Sequence, residues 1–83
     1  MALQQAVENA IQEVAPQAQF HLEVRNGHVT GEVVAPEFEH LTHLERQKQI
    51  WERIRLELGP DAVNVGILLL YSPEEAAAVN DEQ

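Results

Sequence analysis

The residues best equipped for chemistry gather in one stretch, FEHLTHLERQKQIWERIRLELGP (38–60), which holds four of the five basic residues in the chain. Arg46 and Arg53 stand seven apart on one flank of a helical pattern, and Lys48 and Arg55 stand seven apart on the next. Cations at that spacing suit a row of phosphates or an acidic protein partner. Glu45, Glu52 and Glu57 interleave with them at spacings of three and four, as in ordinary ion pairs on a helix surface. His40 and His43 lie three apart beside Glu37 and Glu39, but no thiol accompanies them and no zinc-finger spacing follows, so solvated polar side chains are the better reading. Catalytic signatures are missing: there is no glycine-rich phosphate loop, no HExxH and no serine in a tight turn. Thr42 and Ser72 stand where helix caps are needed. The chain reads as non-catalytic.

The remaining sequence bounds what these residues can serve. Eighty-three residues with 45% hydrophobic content make a single domain, 1–83, because so short a chain cannot divide its apolar residues between two cores. A net charge of −9 disfavours nucleic acid at long range, although a local basic patch still acts within a Debye length. With no cysteine, neither a disulfide nor a thiolate metal site is available. The first fifteen residues carry Gln, Glu and Asn where a signal peptide needs an apolar run, and the apolar stretch 65–71 is too short to cross a membrane. A cytoplasmic location with no membrane contact is the expectation.

Elements follow from periodicity and punctuation. Leu3, Val7, Ala10, Ile11 and Val14 fall at helical spacing up to Pro16, giving a first helix near 2–15. Phe20 to Arg25 alternates apolar and polar residues and meets a second alternating run at Asn26-Gly27, a pair suited to a type I′ turn. A two-residue turn predicts the pairs Arg25–His28, Val24–Val29, Glu23–Thr30, Leu22–Gly31, His21–Glu32 and Phe20–Val33. Gly31 interrupts the apolar face and is expected to let a helix approach closely. Thr42 and Glu45 form a capping box, so a long helix runs from about His43 to an αL cap at Gly59, with an apolar stripe of Leu44, Trp51, Ile54 and Leu58 broken at Gln47. Trp51 is expected as a core anchor. Within 63–71 the chain is apolar at both alternating positions from Ile67 onward, as in a strand that is central or covered on both faces. Ser72-Pro73-Glu74-Glu75 opens a short closing helix, with 80–83 expected to fray. The result is an α+β domain of order α-β-β-α-β-α, with a short extra helical turn before the long helix. Its sheet has three mixed strands, and its helices pack on one face.

Three segments resemble the BolA-like family, which has a class II KH-like fold. GHVTGEVVAPEF (27–38) is similar to the family strand SHFKVxVVSxxF, Phe38 to Trp51 to FxGxSxxxRHRxxY, and VNVGILLLYSPEEA (63–76) to IHALSIKTLTPEEW. His28 falls on the strand histidine, Arg46 on the first arginine of RHR, and Lys48 keeps the charge of the last. Gln47 replaces the middle histidine, Ala76 the tryptophan, and Asn64 the last-strand histidine. The loop between the first two strands is only Asn26-Gly27, which makes this a divergent short-loop member.

The resemblance implies a non-catalytic adaptor or regulator tied to iron–sulfur or redox homeostasis. It implies a monothiol glutaredoxin-type partner that shares a [2Fe–2S] cluster, with His28 and Asn64 marking the neighbourhood of that cluster and no intrinsic cofactor. The alternative is a nucleic-acid-binding or transcription-regulating module using the basic helix 43–58, with Arg46, Lys48, Arg53 and Arg55 as contacts. The KH phosphate loop GxxG is absent, since Glu39, His40, Leu41 and Thr42 stand before the helix.

Overall fold

The computed structural model describes residues 2–81. Its elements are α1 (Leu3–Val14), β1 (Gln19–Arg25), β2 (His28–Val34), a 3-10 turn (Pro36–Phe38), α2 (His43–Leu58), a 3-10 stretch (Gly59–Asn64), β3 (Val65–Tyr71) and α3 (Pro73–Asp81). The order is the expected one, including the short turn before the long helix. Asn26 and Gly27 adopt φ of 52° and 78°, as a type I′ turn requires, and all six expected cross-strand pairs form. β2 lies between its antiparallel partner β1 and β3, which runs parallel to it after the α2 crossover. Val7, Ala10 and Ile11 of α1 and Ile50 and Ile54 of α2 pack with Val29, Val33, Val65, Leu68, Leu70 and Phe38 into one core.

Several sequence expectations are corrected here. β3 is an edge strand, not a central one. Val65, Leu68 and Leu70 face the core, whereas Ile67 is 75% exposed and Leu69 46%. The run is therefore apolar on both sides even though only one side is covered. The bare edge is blunted from α2. The Tyr71 carbonyl accepts from Ala35 N at 2.9 Å, so Tyr71 turns its backbone toward β2, and Leu68 and Leu70 turn theirs outward. There Gln47 Nε2 donates to the Leu68 carbonyl at 2.9 Å and Arg46 Nη1 to the Leu70 carbonyl at 3.1 Å. An added strand would find both carbonyls already engaged.

Gly31 sits at an irregularity of the sheet, and the atoms nearest a side chain there belong to β1. The β2–β3 register jumps from Val29–Val65 to Gly31–Leu68, leaving one extra residue in β3, and Gly31 has φ of 145°. A Cβ there would stand 2.2 Å from the His21 carbonyl oxygen. The core stripe of α2 also differs from expectation. Arg46, Ile50 and Ile54 are buried at four-residue spacing, while Leu44 is 78% exposed and Trp51 half-buried. Gly59 has a positive φ of 57° but ψ of −129°, so it is not an αL cap, and the chain turns directly into 3-10 structure. α3 is assigned through Asp81, and 82–83 lie outside the described residues.

The two glycines of the hairpin should respond differently to substitution. Gly31→Ala meets backbone at an ill-suited φ and is expected to destabilise by about 3 kcal/mol. Gly27→Ala meets nothing within 4 Å and should cost only the left-handed backbone penalty, about 1 kcal/mol. Urea unfolding of the two variants tests this order.

Candidate functional site

The basic helix divides into buried and exposed cations. Arg46 is 4% exposed. Its Nε donates to the Leu41 carbonyl at 3.0 Å, its Nη1 donates to the Leu70 carbonyl and to Glu75 Oε1 at 2.6 Å, and its guanidinium lies 5.8 Å from the Phe38 ring centre. Arg46 was expected as an outward contact; the core stripe of α2 runs through it, so it is a structural residue. A charge this deep persists only where donors and acceptors are matched, and each of these partners accepts from it. Arg53 is 37% exposed and makes surface ion pairs, with Glu57 one turn on and with Glu13 of α1 at 3.8 Å.

Glu75 completes the Arg46 cluster while capping its own helix. Its Oε1 also accepts from Ser72 N at 2.8 Å, and the Ser72 hydroxyl accepts from Glu75 N at 3.3 Å, which closes the second capping box. Its Oε2 lies 3.5 Å from His43 Nε2. The Ser72 N–H first, and the Arg46 guanidinium next, push the Glu75 carboxyl down to about 2. At the start of α2 the same device holds the Glu45 carboxyl below its ordinary range, chiefly through the Thr42 backbone N–H.

His28 opens β2, and Asn64 is the last residue of the 3-10 stretch before β3; the residues that follow them, Val29 and Val65, are register partners. His28 Nδ1 lies 3.1 Å from the Asn26 carbonyl. A carbonyl oxygen can only accept, so Nδ1 is the donor in this contact, and the ring is exposed. His40 and His43 do not form a ligand set with their acidic neighbours: His43 turns to Glu75, and Glu37 Oε2 accepts from Gln17 N at 3.0 Å. Among the described residues no group of three or more His, Asp or Glu is placed to hold a metal ion.

Lys48 and Arg55 stay on the surface, where Leu44, Gln47, Lys48, Trp51, Glu52 and Arg55 line a shallow groove along the outer flank of α2. Trp51 packs against the core from outside; its Nε1 donates to Gln47 Oε1 at 3.0 Å, and Arg55 stands 5.9 Å from its ring centre. Sequence reasoning missed the role of Gln47, which ties Trp51 to the edge of β3. The signal available was a polar residue breaking an apolar stripe.

No family model and no curated protein matches this chain. No helix among the described residues is long and apolar enough to cross a membrane.

Two outcomes follow for the Arg46 cluster. Arg46→Met deprives two carbonyls and a carboxylate of their donor and should lower unfolding stability by about 3 kcal/mol in urea titrations, with Arg46→Lys between it and the unchanged chain. The Glu75 carboxyl is depressed on folding, so its contribution is full above about 4.3, the unfolded-chain value. That contribution is lost as pH falls toward about 2. Glu75→Gln should flatten the loss of stability across that window, read as urea midpoints measured at successive pH values.

Proposed function

We propose that this chain is a non-catalytic adaptor of the BolA-like kind, acting through protein contacts in iron–sulfur or redox homeostasis with a partner of the monothiol glutaredoxin type. The observation that carries this reading is His28. Its Nδ1 is tied to Asn26 and its ring is exposed at the start of β2, the arrangement by which proteins orient an imidazole for metal. Asn64, just before β3, offers an amide where the BolA-like family has a second imidazole, and an amide is the poorer iron ligand. His28 therefore supplies one nitrogen to a [2Fe–2S] cluster that arrives as cargo, with the other ligands coming from the partner.

The nucleic-acid reading loses support from the same geometry. Arg46 is engaged inside the fold and Arg53 with two glutamates, so Lys48 and Arg55 remain as contacts on a chain of net charge −9. Two phosphate contacts release few counterions and give weak binding at physiological salt.

The test is a titration of the isotopically labelled chain with a cluster-loaded monothiol glutaredoxin, following amide shifts and the visible spectrum together. Shifts around His28 and Asn64 with a changed cluster spectrum are expected, and His28→Ala should abolish the spectral change. Absence of any shift at millimolar partner would remove the adaptor reading.

A further inference from the structure

Of the five basic residues, three are matched to carboxylates within the fold: Arg25 to Glu23, Arg46 to Glu75, and Arg53 to Glu57 and Glu13. Lys48 and Arg55 make no ion pair within 4 Å among the described residues, and both line the α2 groove. They share a stripe with Leu44, which is 78% exposed, and with Trp51. The stripe Leu44, Lys48, Trp51, Arg55 follows the spacing i, i+4, i+7, i+11 of one helical face. We propose that this flank of α2 docks an amphipathic helix of a partner protein whose apolar stripe is bordered by two carboxylates two turns apart. The surface is separate from the His28 neighbourhood, and the inference does not rest on the adaptor reading.

The chemistry of the groove narrows its occupant. Its inner polar groups are already satisfied, since Gln47 accepts from Trp51 and donates to the Leu68 carbonyl. What remains for a ligand is the carbon surface of Leu44 and Trp51, with Lys48 between them and Arg55 one turn beyond Trp51. Glu52, between Lys48 and Arg55 in sequence, disfavours a carboxylate midway between them and leaves the two cations as the anion positions. Seven residues of helix rise about 10.5 Å, the distance between carboxylates at i and i+7 of a second helix lying alongside. Same-face residues of an extended segment repeat every ~6.6–6.8 Å and fall at about 6.7 or 13.4 Å, so a strand fits the cations less well.

Other occupants fit poorly. A nucleic acid would find two cations, and a tryptophan ring with one face under Arg55 and its N–H engaged. A second copy docking by the same stripe would set Lys48 and Arg55 against themselves, because an isologous contact uses one patch twice.

Trp51 is the only tryptophan, so its indole N–H resonance reports on this groove alone. The probe is a blocked synthetic helix of about 18 residues in an Ala/Gln host, with leucines at i, i+4, i+7 and i+11 and two flanking glutamates seven apart. An isomer places the glutamates five apart, on different faces. The matched peptide should move the indole signal saturably and bind at least about tenfold more tightly than the isomer, and Lys48→Glu/Arg55→Glu should erase that preference. Both substituted residues are exposed, and far-ultraviolet circular dichroism verifies that the variant folds. Equal binding of the two peptides, or no indole shift at millimolar peptide, would overturn the proposal. So would a single-stranded DNA oligomer that binds more tightly than the peptide, or a dimer of the chain alone that the double variant disperses.

Discussion

A buried guanidinium sets the terms for this fold. Arg46 occupies a core position of α2, and an unmatched charge there would cost more than a small domain can spare. Its partners are the Leu41 carbonyl before α2, the Leu70 carbonyl near the end of β3 and the Glu75 carboxylate in the first turn of α3. Apolar packing in the rest of the core is non-directional and tolerates small displacements. The Arg46 hydrogen bonds do not, so they fix how the last strand and last helix sit against α2. Glu75 belongs to this arrangement twice, as counter-ion and as cap, and the single carboxylate couples the start of α3 to the interior of α2.

Arg46 and Gln47 are neighbours in sequence, and they reach neighbouring outward carbonyls of β3. Consecutive helical residues project about 100° apart, while alternate strand residues stand about 6.6 Å apart. Two adjacent side chains therefore cover two alternate carbonyls of one strand edge. This explains how β3 stays apolar and marginal in the sheet without presenting a continuous template for another strand. It also explains why only part of the basic helix faces outward. The cations nearest the edge and α1 are engaged at home, and those on the far flank are left beside Trp51.

Local signals carried much of the architecture. Asn26-Gly27 fixed the hairpin register residue by residue, and Thr42 with Glu45 and Ser72 with Glu75 marked two helix starts, because each signal acts within a few positions of chain. The errors came from long-range choices. An apolar run such as 65–71 reads alike whether its outer face is covered or bare, so β3 looked central. Gly31 broke an apolar pattern, but only the approach of the His21 carbonyl shows what the break is for. The candidate site was harder still. Arg46 has the composition of a surface cation, and its burial depends on a carboxylate 29 positions away. Lys48 and Arg55 were legible as basic residues, though not as the two that make no ion pair among the described residues.

The α2 crossover also orders events in time. The hairpin closes through a two-residue turn, and short loops close fastest and at least entropic cost. β3 reaches its place beside β2 only after the whole crossover is laid down, and Arg46 must wait for Leu70 and Glu75. Until then its guanidinium is better solvated by water than by protein, so α2 carries a hydrophilic wedge along the face it will later bury. A chain that stopped before β3 would leave Arg46 with the Leu41 carbonyl as its one acceptor from this cluster.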